Sequence, residues 1–227
     1  MDLTGAGNNV MAGIYVGPYY AYINNNGVST PVICDDFADE SFLPDTWTAD
    51  IFTPPDYVTT RDAQKWNLLT PAQQGGYTVA QNYDAVGYLA SEMLANSNNQ
   101  SVVGELDFAL WNVFDPTAIP YLANAYSGTC SVSNPAACYA GAANAYYADA
   151  RSAVSGDMNT GFTSYISGYS IYSPDQGYPY VPGNAGPPQE FLVRMPEPPA
   201  LAILGLDMSG LAGLVFLLRR RMRRPQS

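Results

Sequence analysis

Carboxylates dominate the side chains that could do chemistry in this chain. Asp35, Asp36, Asp39, Glu40 and Asp45 fall within eleven residues. Calcium takes oxygen ligands of this kind, and Asp35, Asp36 and Asp39 are the candidate set. Their spacing is not that of an EF-hand, and a solvated acidic loop has the same composition. Paired carboxylates can also hydrolyse glycosides without histidine, although no pair is singled out by spacing. The chain has no histidine at all, which removes Ser-His and Cys-His nucleophiles and imidazole-bound metals. The expectation is a non-enzymatic protein with no cofactor, and a carboxylate-dependent glycan hydrolase is an alternative.

Three cysteines are present. Cys130 and Cys138 bracket Ser-Val-Ser-Asn-Pro-Ala-Ala and can close that loop as a disulfide in an oxidising compartment. Loop entropy puts the closure at about 2.5 kcal/mol, with two free thiols as the alternative. Cys34 is then left over, either as a small core residue or as a reactive thiol.

The elements that must position these groups follow from pattern. Residues 13–23 and 28–37 are rich in aromatic and β-branched types, and Asn24-Asn25-Asn26-Gly27 between them supplies turn residues, so a hairpin is expected. Pro44 to Pro55 reads as irregular or edge-like, pinned by Trp47 and Phe52. Val86, Leu89, Ala90, Met93 and Leu94 share one helical face, as do Val103, Leu106, Leu110, Trp111 and Phe114. A third helix is expected over about 136–154. Strand pattern returns from Phe162 to Tyr172 and again at Glu190–Arg194, and 173–189 looks like a linker. Strands, helices and strands in that order predict an α+β fold: a small antiparallel β-sandwich or barrel with a helical insert.

Val32-Ile33-Cys34-Asp35-Asp36-Phe37 and Leu106-Asp107-Phe108-Ala109-Leu110-Trp111 together resemble the two motif regions of bacterial surface thioester domains, over about residues 13–115. In that family a strand cysteine and a helix glutamine join in an internal thioester. The resemblance places the cysteine at Cys34 and the glutamine position at Asp107. A carboxylate lacks the leaving group that a glutamine amide offers, so the expectation is a thioester-domain-like scaffold without the reaction. Asp107 shares the apolar stripe of Leu106 and Trp111 and should be partly buried with a hydrogen-bond partner. The alternative is a covalent adhesin that uses a reactive Cys34.

The end of the chain carries a different signal. Pro196-Glu197-Pro198 is followed by an apolar run over 200–218 and by Arg219, Arg220, Arg221, Arg223 and Arg224. As a helix the run would span roughly 28 Å, close to the thickness of a hydrocarbon core. One transmembrane helix with a cytoplasmic arginine stop is the expectation. Asp207 lies within the run and costs about 3 kcal/mol there. The three parts resemble the PEP-CTERM sorting signal of Gram-negative bacteria. That resemblance implies an exosortase as processing partner, anchoring in the inner membrane before processing, and a final place at the cell surface or in the exopolysaccharide matrix of a biofilm. Domains are expected at 1–194 (extracytoplasmic body) and 195–227 (sorting signal). The start carries no basic residue and no apolar core, so a secretory signal is expected to precede it. The body holds 18 acidic and 4 basic residues, which disfavours nucleic acid as a partner.

Overall fold

Asn24 and Gly27 both adopt positive φ, at 54° and 70°, and the strands on either side of them pair antiparallel, with Tyr22 opposite Ser29. This is the expected hairpin in the computed structural model. The structure describes residues 1–195 apart from 8, 25–26, 39–42, 57–58, 127–135, 158–163 and 176–187. Residues Met1–Arg194 form one compact unit.

Nine strands and six helices are described. The strands β1 (Asp2–Ala6), β2 (Val10–Met11), β3 (Ile14–Tyr15), β4 (Tyr19–Tyr22), β5 (Ser29–Cys34), β6 (Asp45–Thr46) and β7 (Ala49–Phe52) come first. The helices follow: α1 (Arg61–Leu68), α2 (Pro71–Gln74), α3 (Val79–Ala95), α4 (Gln100–Phe114), α5 (Ala118–Ala125) and α6 (Ala136–Asp157). A short 3-10 turn at Tyr165–Gly168 leads into β8 (Tyr169–Pro174), and β9 (Phe191–Arg194) ends the unit.

Seven strands make one antiparallel sheet in the order β6-β1-β4-β5-β9-β8-β7. Its two edges, β6 and β7, are separated in the chain only by Trp47 and Thr48. A residue spans at most about 3.6 Å, so the sheet has to curl until its edges meet. Three hydrogen bonds hold that seam. The Trp47 N–H donates to the Met1 carbonyl at 3.1 Å and the Asp175 N–H to the Thr48 carbonyl at 3.2 Å. The Met1 ammonium donates to the Trp47 carbonyl at 2.7 Å.

Strand alternation then sorts the side chains. Val32, Cys34, Phe191 and Val193 join Leu3, Tyr19, Ala21 and Trp47 in a core inside the curled sheet. Ile33, Ile171 and Leu192 point the other way, into a larger core built by the helices. Helices α3, α4 and α6 pack on one another and bury Tyr83, Val86, Leu89, Leu106, Leu110 and Trp111. Thr78 and Gln81 form a reciprocal capping box at the start of α3, and Asn99 caps α4, so both helices begin where local chemistry satisfies their first N–H groups. Gly87 lets the 3-10 turn lie directly on α3, because a Cβ there would come within 2.6 Å of the Ile166 nitrogen.

The expected fold class needs correction. The described residues are α+β, with a seven-stranded antiparallel sheet that curls on itself, a separate β2–β3 pair and six helices. Of the expected sandwich or barrel with a helical insert and a transmembrane helix, the two-sheet sandwich and the transmembrane helix are not found among these residues. Among the described residues no helix is long and apolar enough to cross a membrane. The longest, α6, has 22 residues but intersperses alanine with Asn144, Asp149 and Arg151. The 200–218 run lies outside the described residues, as do Pro196, Glu197, Pro198 and the terminal arginines.

Candidate functional site

Strand β5 ends in Cys34 and releases Asp35 and Asp36 beyond the rim of the sheet. Glu190 stands beside them just before β9, and the Asp35 N–H donates to the Glu190 carbonyl at 3.3 Å. Helix α1 closes over this end. Its cap, Thr60, accepts the Ala63 N–H at 3.3 Å, and its first turn carries Asp62, where the positive end of the helix dipole favours a carboxylate. Lys65 follows three residues later on the same face. Asp35, Asp36, Asp62 and Glu190 are all at most 1% exposed, and Lys65 is 8% exposed.

Each member is held by neighbours. The Lys65 ammonium contacts the Asp36 carboxylate and lies 3.4 Å from Asp62 Oδ1. The Tyr83 hydroxyl, from α3, donates to Glu190 Oε1 at 2.5 Å. Thr60 Oγ1 bonds to the same hydroxyl, and because Tyr83 has one hydrogen to give, Thr60 is the donor. The Arg61 N–H donates to Glu190 Oε2 at 2.9 Å and to Ser173 Oγ at 2.9 Å. Neither oxygen of Asp35 has a hydrogen-bond partner on another described residue.

Burial governs the protonation of this cluster. Removal from water pushes the Asp35 carboxyl well above its ordinary value, and the neighbouring Glu190, Asp62 and Asp36 charges push it further. Glu190 is also raised by burial, against hydrogen bonds from Ser173 and Tyr83 that favour its charged form. An ionised carboxylate without partners is costly in a dry interior, so the site favours the neutral form of Asp35.

No family model, no curated protein and no solved structure matches this chain.

The site is therefore read from its own chemistry. Oxygens of Asp35, Asp62 and Glu190 lie within 4.8 Å of one another, a spacing compatible with a hard cation. Yet Lys65 already brings a positive charge against Asp36 and Asp62, and both Glu190 oxygens accept hydrogen bonds from the chain. The counter-charge is supplied from within. Of the three calcium candidates read from the sequence, Asp35 and Asp36 belong to this cluster and Asp39 lies outside the described residues. Asp62, Lys65 and Glu190 were not singled out by sequence. The one available signal was Lys65 itself, the only lysine in the chain.

The two thioester-like positions also come together across the β5–α4 contact. The Trp111 indole N–H donates to the Cys34 carbonyl at 3.0 Å. Burial raises the Cys34 thiol well above its usual range, and the nearby Asp36, Asp107 and Asp35 carboxyls push it further. Cys34 Sγ donates to the Asp36 carbonyl at 3.2 Å. Asp107 is fully buried, accepts the Gly17 N–H on Oδ2 at 2.6 Å, and has no hydrogen-bond partner on Oδ1 among the described residues. A thiol held protonated beside a carboxyl is inert: the thiolate is the nucleophile. Cys130 lies outside the described residues, as does any pairing with Cys138.

Proposed function

We propose that this chain is a non-enzymatic, exported protein of the cell surface or biofilm matrix, addressed there by residues 195–227. The observation that carries the reading is the order Pro196-Glu197-Pro198, apolar run, arginine cluster at the end of the sequence. On this reading an exosortase recognises the tail, and the acidic body is the part delivered to the exopolysaccharide of a Gram-negative cell surface.

The body supports the reading in two ways. Its last described strand, β9, ends at Arg194, directly before the tail, and residues Met1–Arg194 form a compact unit of their own. Its chemically capable groups, Cys34, Asp107 and the carboxylates around Lys65, are all buried. Such groups serve the interior and offer no surface to a substrate.

The test is expression of the chain behind a secretory signal, with one tag inserted near Gly183 and another after Ser227, with and without an exosortase. The expected outcome is that the tags separate only when the enzyme is present. Tags that stay on one band in both cells would overturn the sorting assignment.

A further inference from the structure

The only lysine of the chain is buried with its ammonium against two buried aspartates. We infer that Lys65 and Asp36 are placed to condense into an intramolecular amide, Lys65 Nζ to Asp36 Cγ, which ties α1 covalently to the segment after β5.

The parts the reaction needs are on hand. Nucleophile and carboxyl are in contact, and holding two reactants together can replace an effective concentration of about 10⁵ M or more. The step begins from the ion pair: the ammonium passes one proton to Asp36, which gives a neutral amine beside a carboxylic acid, and the dry surroundings lower the cost of that transfer. Nζ then attacks Cγ, an N–C bond forms and a C–O bond breaks. Asp62, 3.4 Å from Nζ, takes the proton from nitrogen and returns one to the departing hydroxyl, which leaves as water. Atoms balance as amine plus acid giving amide plus water, and no oxidant or co-reactant enters. Oxygens of Asp35 and Glu190 lie within 4.8 Å of those of Asp62; both Glu190 oxygens already accept hydrogen bonds, so the Asp35 carboxyl is the neighbour placed to exchange a proton with Asp62.

The condensation also removes one cation and one anion from a dry cluster that holds four acids. A buried ion pair gains little over a neutral arrangement because its desolvation is so costly. An amide keeps the same link between the elements without that cost.

The experiment uses the full chain, purified, reduced and denatured. The intact mass should fall short of the sequence mass by one water. An amine-reactive label should then find only the N-terminal amine, because Lys65 supplies the only ε-amine. Fragmentation should give a branched peptide joining Lys65 to Asp36. Replacing Asp36→Asn should shift the deficit from water to ammonia, a signature that a purely structural role would not produce. A full sequence mass with two labelled amines would overturn the inference, as would a branch on Asp62. The result is independent of how the tail is processed.

Discussion

Gly17 N–H and Asp107 Oδ2 meet at 2.6 Å across 90 residues of sequence. The bond fixes the segment between β3 and β4 on helix α4. Gly17 adopts φ of 93°, and a Cβ there would lie 2.6 Å from Val103 Cγ1. Both constraints forbid a side chain. Gly17→Ala should therefore lose about 2 to 5 kcal/mol, from about 1–2 kcal/mol of left-handed backbone strain and about 1–3 kcal/mol of overpacking. Urea unfolding of the two proteins gives the difference directly. A loss below about 0.5 kcal/mol would mean that this contact is not formed as described.

The carboxyl at the other end of that bond sets a pH dependence. Burial raises Asp107 well above its usual value, although the Gly17 N–H opposes the shift. A folded pKa above the unfolded one gives stability that is full below about pH 4 and lost as pH rises through the folded value. Asn cannot titrate and can still accept the Gly17 N–H. The melting temperature of Asp107→Asn relative to the parent should therefore climb as pH rises from 4 to 8. Asp35 and Glu190 shift in the same direction but are present in both proteins, so they cancel in the difference. A difference independent of pH would show that Asp107 titrates normally.

Much of this architecture was legible in the residues, and the limits have physical causes. The apolar stripes of α3 and α4 repeat at helical spacing, and the hairpin announces itself by Asn24 and Gly27, so β4, β5 and both helices could be read. Helix α1 was not readable, because Arg-Asp-Ala-Gln-Lys-Trp buries charged groups in place of an apolar stripe. The short strand β1 contains Gly5 and a register shift, which blurs its alternation. The carboxylate cluster needed the tertiary fold: Asp35, Asp62 and Glu190 come from three elements with no common period. Closure of the sheet was open in the sequence, with a barrel and a sandwich as alternatives, since nothing local to Trp47 and Thr48 shows that they join its two edges.

Cys34 should be silent toward thiol reagents in the native protein. It is fully buried, burial and nearby carboxylates keep its thiol protonated, and its hydrogen goes to the Asp36 carbonyl. Iodoacetamide should modify it only at the rate of unfolding, whereas Cys130 and Cys138 can be tracked separately by peptide mapping. Rapid native labelling of Cys34 would restore the reading of a reactive adhesin thiol. The same strand end can be probed from its partner. Trp111→Phe deletes the donor to the Cys34 carbonyl and should cost about 1–3 kcal/mol for the unsatisfied buried acceptor.

Tyr83 joins the two sides of the carboxylate cluster, and its removal tests whether the cluster is one network. Its hydroxyl receives the Thr60 hydrogen and donates to Glu190 Oε1 at 2.5 Å. Tyr83→Phe keeps the ring in contact with Phe114, whose centroid lies 4.8 Å away, so packing is preserved and only the relay is cut. Glu190 then loses a donor that favoured its charged form, and its pKa should rise further. The variant should lose about 1–3 kcal/mol at neutral pH. The loss should shrink toward pH 4, where the protonated Glu190 no longer depends on that donor. Thermal melts at both pH values decide it: an equal loss at both would assign Tyr83 to packing and leave Glu190 outside the network.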